Sequence, residues 1–307
     1  MTEKIAFVFP GQGSQSVGML QNLAASHSIV QQTFQEASDA LGYDLWDLIQ
    51  NGPEAKLNQT EYTQPALLAA GVAVWRVWEL EREERPNILA GHSLGEYTAL
   101  VSAKALNLRD AATLVALRGR LMQEAVPEGI GAMAAILGLD DAVIEALCKA
   151  EAINGEVVAP ANYNSPGQVV ISGHKTAVER VMAAAKASGA KRAIALAVSV
   201  PSHCLLMKPA ALQLKIALDE IPFKCPIIPV IHNVDVSQHS SVQAIRQALV
   251  EQLYQPVRWV ETIRLMAQKG VTTVLECGPG VVLSGLNRRI VATLQCESIS
   301  SGEALCR

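Results

Sequence analysis

Several signatures that would assign this chain of 307 residues to a broad class are missing from it. Neither sign of charge dominates: 25 Lys and Arg face 29 Asp and Glu, a formal net charge of −4, so nothing global points to nucleic acid or an anionic membrane as partner. The cysteines (Cys148, Cys204, Cys225, Cys277, Cys296, Cys306) are scattered without a C-x-x-C pair, which leaves no disulfide framework and no metal knuckle to argue for. Reduced thiols in a cytoplasm are the simpler account. No apolar run reaches the length of a membrane span, and the opening MTEKIAFVFPG enters a strand pattern without a basic leader, so a cytoplasmic protein is expected. Internal repeats and low-complexity tracts are absent too. What remains is a chain with half its residues hydrophobic, enough to bury the core of one large α/β domain with or without an inserted module.

The stretch Ile88-Leu89-Ala90-Gly91-His92-Ser93-Leu94-Gly95-Glu96-Tyr97 contains Gly-x-Ser-x-Gly. In that pattern the serine sits on a strained turn between a strand and a helix, flanked by glycines because side chains would block the tight backbone. The context agrees, with an apolar run over 87–90 and helical composition over 95–105. A helix starting at Ser93 aims its free N–H groups at any oxyanion formed there. The bland reading is a Gly-rich turn with Ser93 as its N-cap.

Taken in order, residues 4–9 (KIAFVF) read as a buried parallel strand running into the loop Gly11-Gln12-Gly13-Ser14-Gln15-Ser16, with a helix from about Val17. That loop lacks the third glycine and the acidic partner of a dinucleotide site, so it reads as a place where backbone N–H groups approach a ligand closely. Helical segments follow over 29–49, 63–84 and 108–124. Residues 129–198 then run strand, helix, strand, strand, helix, strand, the split unit of ferredoxin-like modules. Beyond it come a helix over 205–220, a core strand over 226–233, helices over 244–254 and 259–269, and a strand over 272–276. The residues after Leu294 show little periodicity and read as frayed. The expected fold is therefore α/β. A large hydrolase-like subdomain with a mainly parallel sheet flanked by helices spans 1–127 and 199–307, and an inserted ferredoxin-like βαββαβ subdomain spans 128–198.

A serine nucleophile needs a base, and histidine is the usual one. His27, His174 and His239 lie in polar segments and read as surface residues, while His232 ends a core strand. His92 adjoins Ser93 on the elbow and should point elsewhere; His203 remains, in a Pro-x-His turn entering a helix.

Six blocks occur in order: Phe9-Pro10-Gly11-Gln12-Gly13-Ser14-Gln15, Gly91-His92-Ser93-Leu94-Gly95-Glu96-Tyr97, Arg118-Gly119, Asn162-Tyr163-Asn164-Ser165-Pro166-Gly167-Gln168, Val200-Pro201-Ser202-His203 and Gln252-Leu253-Tyr254-Gln255-Pro256-Val257. Together they resemble the malonyl-CoA:acyl carrier protein transacylases of bacterial fatty acid synthesis. The resemblance implies Ser93 as acyl acceptor and His203 as general base, oriented by a main-chain or amide group near Gln252 in place of an aspartate. It implies an oxyanion hole from the N–H groups of Gln12 and Leu94, and Arg118 gripping the malonate carboxylate, with Gln252 also a substrate-binding position. It further implies a ping-pong transfer from malonyl-CoA to the phosphopantetheine thiol of acyl carrier protein, both being substrates, with no cofactor.

Carrier proteins of that pathway are acidic, so Lys191, Arg192, Arg288 and Arg289 are candidate docking residues. Nothing demands more than a monomer. Two rival functions stay open: a serine thioesterase or hydrolase using Ser93 and His203, and a non-catalytic scaffold that docks carrier protein.

Overall fold

A computed structural model of the chain describes residues 4–198 and 200–300. Strand β1 (Ile5–Phe9) is followed by α1 (Gln21–Ser26), α2 (Ser28–Leu41), α3 (Leu45–Asn51), α4 (Glu54–Leu57) and the long α5 (Thr60–Glu81). Next come β2 (Ile88–Gly91), α6 (Gly95–Ser102) and α7 (Leu108–Glu124). A second group runs β3 (Gly131–Leu137), α8 (Asp141–Glu151), β4 (Val158–Ser165), β5 (Gln168–His174), α9 (Lys175–Ala187), β6 (Arg192–Ala195). The chain then forms α10 (Lys208–Glu220), β7 (Val230–Ile231), α11 (Val242–Gln252), α12 (Trp259–Gln268), β8 (Thr273–Glu276), α13 (Val282–Ile290) and β9 (Gln295–Ser298).

The larger sheet is parallel throughout, in the order β7-β2-β1-β8-β9. Its central strand shows why it is sandwiched. Alternate residues of β1 face opposite ways, so Phe7 and Phe9 join the cluster containing Trp75 of α5 and Leu100 of α6, while Ala6 and Val8 join the one containing Trp259 and Ile263 of α12. Phe7 meets Trp75 and Trp78 edge to face at 5.5 and 4.9 Å. Because β2 lies on one side of β1 and β8 on the other, the sheet has a switch point beyond the carboxyl end of β1, where a crevice opens and where α/β sheets bind ligands.

The smaller sheet is antiparallel, in the order β4-β5-β3-β6. One face is covered by α8 and α9 through Ile136, Ile171, Ile144 and Val181. The other face carries Met133 and Val170, which look across the crevice at the larger sheet. Edge strand β4 is pinned to the larger part by a bridge between Asn162 and Val257, with N–H to carbonyl bonds of 3.0 and 2.8 Å.

Three expectations need correction. The helix expected from Val17 begins at Gln21, since residues 17–20 are turns and Leu20 takes a left-handed φ of 61°. The run over 226–233 contributes only Val230 and Ile231 to the sheet, and it spends its last residues, His232 and Asn233, on side-chain bonding beneath the elbow. The residues after Leu294 are not frayed throughout: Gln295–Ser298 pairs with β8 as the edge strand. Alternation is weak there because only Cys296 of the four is buried. Residues 301–307, the rest of that stretch, and with them Cys306, lie outside the described residues.

Candidate active site

The carboxyl ends of β1 and β2 bring two loops together. Ser93 follows β2 with φ 52°, the left-handed conformation a side chain rarely adopts. Packing enforces it. A Cβ on Gly91 would lie 1.8 Å from the carbonyl carbon of Gly95, and a Cβ on Gly95 would lie 2.0 Å from the Phe9 carbonyl oxygen. Both glycines are thus required for α6 to leave the strand this steeply. Asn233 holds the turn from below: its Oδ1 accepts the Ser93 N–H at 2.8 Å, and its Nδ2 donates to the Gly91 carbonyl at 2.7 Å.

His203 also has a positive φ, 62°. Its N–H donates to the Leu253 carbonyl at 2.9 Å, fixing the backbone against the segment after α11. The ring spans two partners, with Nδ1 2.7 Å from the Gln252 carbonyl oxygen and Nε2 2.8 Å from Ser93 Oγ. A carbonyl oxygen only accepts, so Nδ1 carries the proton and Nε2 faces the hydroxyl with a lone pair. Burial, and next the positive charge of Arg118, pull the imidazole pKa from 6.5 down to about 3. The neutral ring is the form a base needs.

Arg118, on α7, is 1 % exposed. Nη1 donates to Gln64 Oε1 at 2.8 Å, Nη2 donates to Gln252 Oε1 at 2.9 Å and reaches Ser93 Oγ at 3.2 Å, and the guanidinium lies 5.4 Å from the Tyr97 ring centre. Burial lowers its pKa, yet a guanidinium keeps its proton. Among the described residues no carboxylate forms an ion pair with it. Neutral groups, two amide oxygens and the Ser93 hydroxyl, are the hydrogen-bond acceptors that meet this buried cation.

A cleft of about 250 Å³ opens over these groups, walled by Gln12, Ser93, Leu94 and Arg118 on one side and by Met133 and Val170 of the smaller sheet on the other. The backbone N–H groups of Gln12 and Leu94 donate to no other described backbone or side chain. A negatively charged oxygen in the cleft would satisfy both. Chemically the arrangement can take a proton from Ser93, hold an oxyanion and present a fixed cation to the acyl group.

Of the sequence-derived site residues, Ser93, His203, Arg118, Gln12 and Leu94 meet at the cleft. Gln252 does not reach it. Its side chain is wholly buried beneath Arg118, donating from Nε2 to the Ser93 carbonyl and to Glu96 Oε2, both at 2.9 Å. Its position is therefore under the site, bonded to Arg118 and to the Ser93 carbonyl. Lys191 and Arg192 are exposed at the start of β6. Arg288 and Arg289 end α13, Arg288 donating to the Cys296 carbonyl and Arg289 to Gln168 Oε1 at 3.1 Å. Of the other histidines, His27 faces Glu81, His174 accepts the Val157 N–H, and His239 faces Asp235. His92 lines the cleft after all, its Nε2 2.8 Å from Asn164 Oδ1, and burial lowers its pKa.

Sequence reasoning missed Gln64, Glu96 and Asn233. Glu96 had a signal, a carboxylate in the first turn of a helix whose eight residues are otherwise apolar, small or weakly polar. Gln64 and Asn233 had none, because amides beside prolines and strand ends are ordinary.

Among the described residues no group of His, Cys, Asp and Glu is placed to hold a metal ion, and no helix is long and apolar enough to cross a membrane. A parallel sheet with a strained serine at its switch point, a neutral histidine on that serine and free N–H groups beside it defines a class: serine-dependent acyl-transfer proteins. The acyl transferase domain family matches residues 6–301. The malonyl CoA-acyl carrier protein transacylase of Salmonella typhimurium is 58% identical over 302 residues, 98% of this chain and 97% of that one. The solved transacylase of Coxiella burnetii superposes with a TM-score of 0.97 at 52% identity, covering 99% and 96% of the two chains. A malonyl-transacylase solved in complex with its type II polyketide acyl-carrier protein also gives 0.97, at 57% identity over 99% and 98%. The chain belongs to the acyl transferase family, among its malonyl CoA-acyl carrier protein transacylases.

Proposed function

We propose that this enzyme moves a malonyl group from malonyl-CoA to the phosphopantetheine thiol of acyl carrier protein for fatty acid synthesis. Ser93 Oγ attacks the thioester carbonyl while its proton passes to His203 Nε2, which already lies 2.8 Å away. The Gln12 and Leu94 N–H groups receive the oxyanion. Collapse breaks the carbon–sulfur bond, and coenzyme A leaves as the thiol with the proton from His203. The second half repeats these steps in reverse sense, the carrier thiol attacking the malonyl-serine and giving its proton to His203 as Ser93 regains its own.

The observation that carries the substrate class is Arg118, a buried cation without an ionic partner among the described residues, whose Nη2 lies 3.2 Å from the nucleophile. A carboxylate on the acyl group supplies the missing anion; acetyl and longer monoacids leave it unmet. Gln252 acts through others, its carbonyl fixing the His203 tautomer and its amide oxygen holding Nη2.

We read residues 1–127 and 199–307 as one subdomain and 128–198 as an insert whose sheet roofs the cleft. Lys191, Arg192, Arg288 and Arg289 form the basic surface that meets an acidic carrier, and the protein works as a cytoplasmic monomer without a cofactor. Incubation with malonyl-CoA, with and without carrier protein, tests transfer against hydrolysis. Malonyl-carrier is expected as the main product when carrier is present; free malonate dominating both tubes would make this a thioesterase.

A further inference from the structure

Beneath the elbow lies a carboxylate for which the proposed mechanism has no use. Glu96 is wholly buried on the first turn of α6. Its Oε2 accepts the Asn233 N–H and the Gln252 Nε2–H, both at 2.9 Å, and its Oε1 lies 2.8 Å from His232 Nδ1. Asn233 N–H and Gln252 Nε2–H can only donate, so Oε2 meets them as an acceptor. Each of the two ends in the active site. The side chain of Asn233 clamps Ser93 N–H and the Gly91 carbonyl. Gln252 reaches Arg118 Nη2 through its Oε1 and His203 Nδ1 through its carbonyl.

The chain of contacts from Glu96 Oε2 through the Gln252 amide to Arg118 Nη2 joins a buried anion to a buried cation without letting them touch. A direct ion pair would satisfy the guanidinium and leave nothing for a substrate carboxylate. Leaving the cation with no counter-charge would make the empty enzyme costly to fold. Holding the anion one amide away meets both demands.

We propose that Glu96 is the counter-ion of Arg118 and that Gln252 is the amide spacer between them, so that Glu96 is a positioning residue that sets how strongly the cleft demands a carboxylate on the acyl group. The inference rests on the reading of Arg118 as the malonate-binding residue. The field of Glu96 favours the charged form of Arg118, in keeping with it.

His232 provides a clean test. Its Nε2 is buried without a partner among the described residues, so the imidazole can move its proton from Nδ1 to Nε2 without breaking a bond there. Glu96→Gln can then keep every hydrogen bond, the introduced amide oxygen accepting from Gln252 and Asn233 and its NH2 donating to His232 Nδ1. The charge is lost, and the His232 Nε2–H and the second amide N–H are left without partners among the described residues. The repulsion between Glu96 and an incoming carboxylate goes with the charge, so the ratio of malonyl to acetyl loading on Ser93 should rise on the order of tenfold, with the half-saturating malonyl-CoA concentration falling.

Four proteins are compared: wild type, Glu96→Gln, Arg118→Met and the double variant, each assayed for malonyl and acetyl loading by intact mass and for thermal midpoint. The double variant should be more stable than the two single losses add up to, because removing both charges removes the pair. If Glu96→Gln cannot be obtained folded, recovery of folded protein in the double variant supports the pairing and failure there overturns it. An unchanged or lowered malonyl to acetyl ratio in Glu96→Gln, or additive midpoints, overturns the proposal. Should Arg118→Met keep the wild-type ratio, the reading of Arg118 itself fails; should it lose the ratio while Glu96→Gln is unaffected, only the counter-ion role fails.

Discussion

His203 Nδ1 lies 2.7 Å from the main-chain carbonyl oxygen of Gln252, and this contact decides which nitrogen faces Ser93. A backbone carbonyl cannot be protonated or swapped by side-chain mutation, so the tautomer is fixed by the fold itself. The carbonyl's hydrogen bond favours the protonated ring, as a carboxylate in its place would do more strongly by attraction, but burial and next the charge of Arg118 outweigh it.

The pH dependence of Ser93 acylation follows. A histidine held at about 3 stays neutral across the acid range, so the rate of malonyl loading should show no limb centred near the ordinary 6.5. Rapid-quench loading between pH 5 and 8 checks this, and a limb near 6.5 would contradict it. For stability the sign is opposite to that of a salt-bridged histidine. Below pH 6.5 the unfolded chain takes up a proton that the folded ring refuses, so this residue makes the protein progressively less stable as pH falls from 6.5 towards 3.

Replacing Arg118 with alanine removes both the cation and a proton-repelling neighbour of His203. Malonyl transfer should fall by about 100-fold or more, the scale of a lost charge-assisted pair, while acetyl transfer falls less. Competition between malonyl-CoA and acetyl-CoA for Ser93 reads this directly. An unchanged preference would refute the carboxylate role.

Gly95→Ala should abolish the elbow, because its methyl would have to occupy space 2.0 Å from the Phe9 carbonyl oxygen in the central strand. A cost of about 3 kcal/mol or more is expected, visible as a lowered denaturation midpoint or loss of folded protein. A variant as stable as wild type would show that the strand and helix can separate.

Charge reversal at Lys191, Arg192, Arg288 and Arg289 should raise the KM for carrier protein without slowing the loading of Ser93 from malonyl-CoA. The effect should shrink as salt rises. Equal slowing of both half-reactions would mean that these residues act on the fold. Arg288 needs that control most, since it also caps the Cys296 carbonyl of β9.

The sequence spoke most clearly where local geometry leaves no freedom. The Gly91-Ser93-Gly95 spacing implied a strand, a strained residue and a helix, and the two close approaches at the glycines and the positive φ of Ser93 are those of the folded elbow. The apolar run of β1 and the length of α7 were equally plain, because buried strands and amphipathic helices write their period into the chain. The larger sheet's outer strands were harder to read. β7 keeps two residues in a run of eight, and β9 has one buried side chain in four, so neither carries a period. The site's supporting layer was hardest of all. That Gln252 lies under Arg118, or that Asn233 grips Ser93 across 140 positions, depends on how helices stack on the sheet. Spacing along the chain holds no trace of it.

The central claim is that Ser93 carries the acyl group between two thiols. Intact-mass measurement of the protein after mixing with malonyl-CoA tests it most directly. One malonyl adduct is expected on the wild type, none on Ser93→Ala, and loss of the adduct when phosphopantetheinylated carrier protein is added; a wild-type protein that stays unlabelled would contradict a role for Ser93 as acyl carrier.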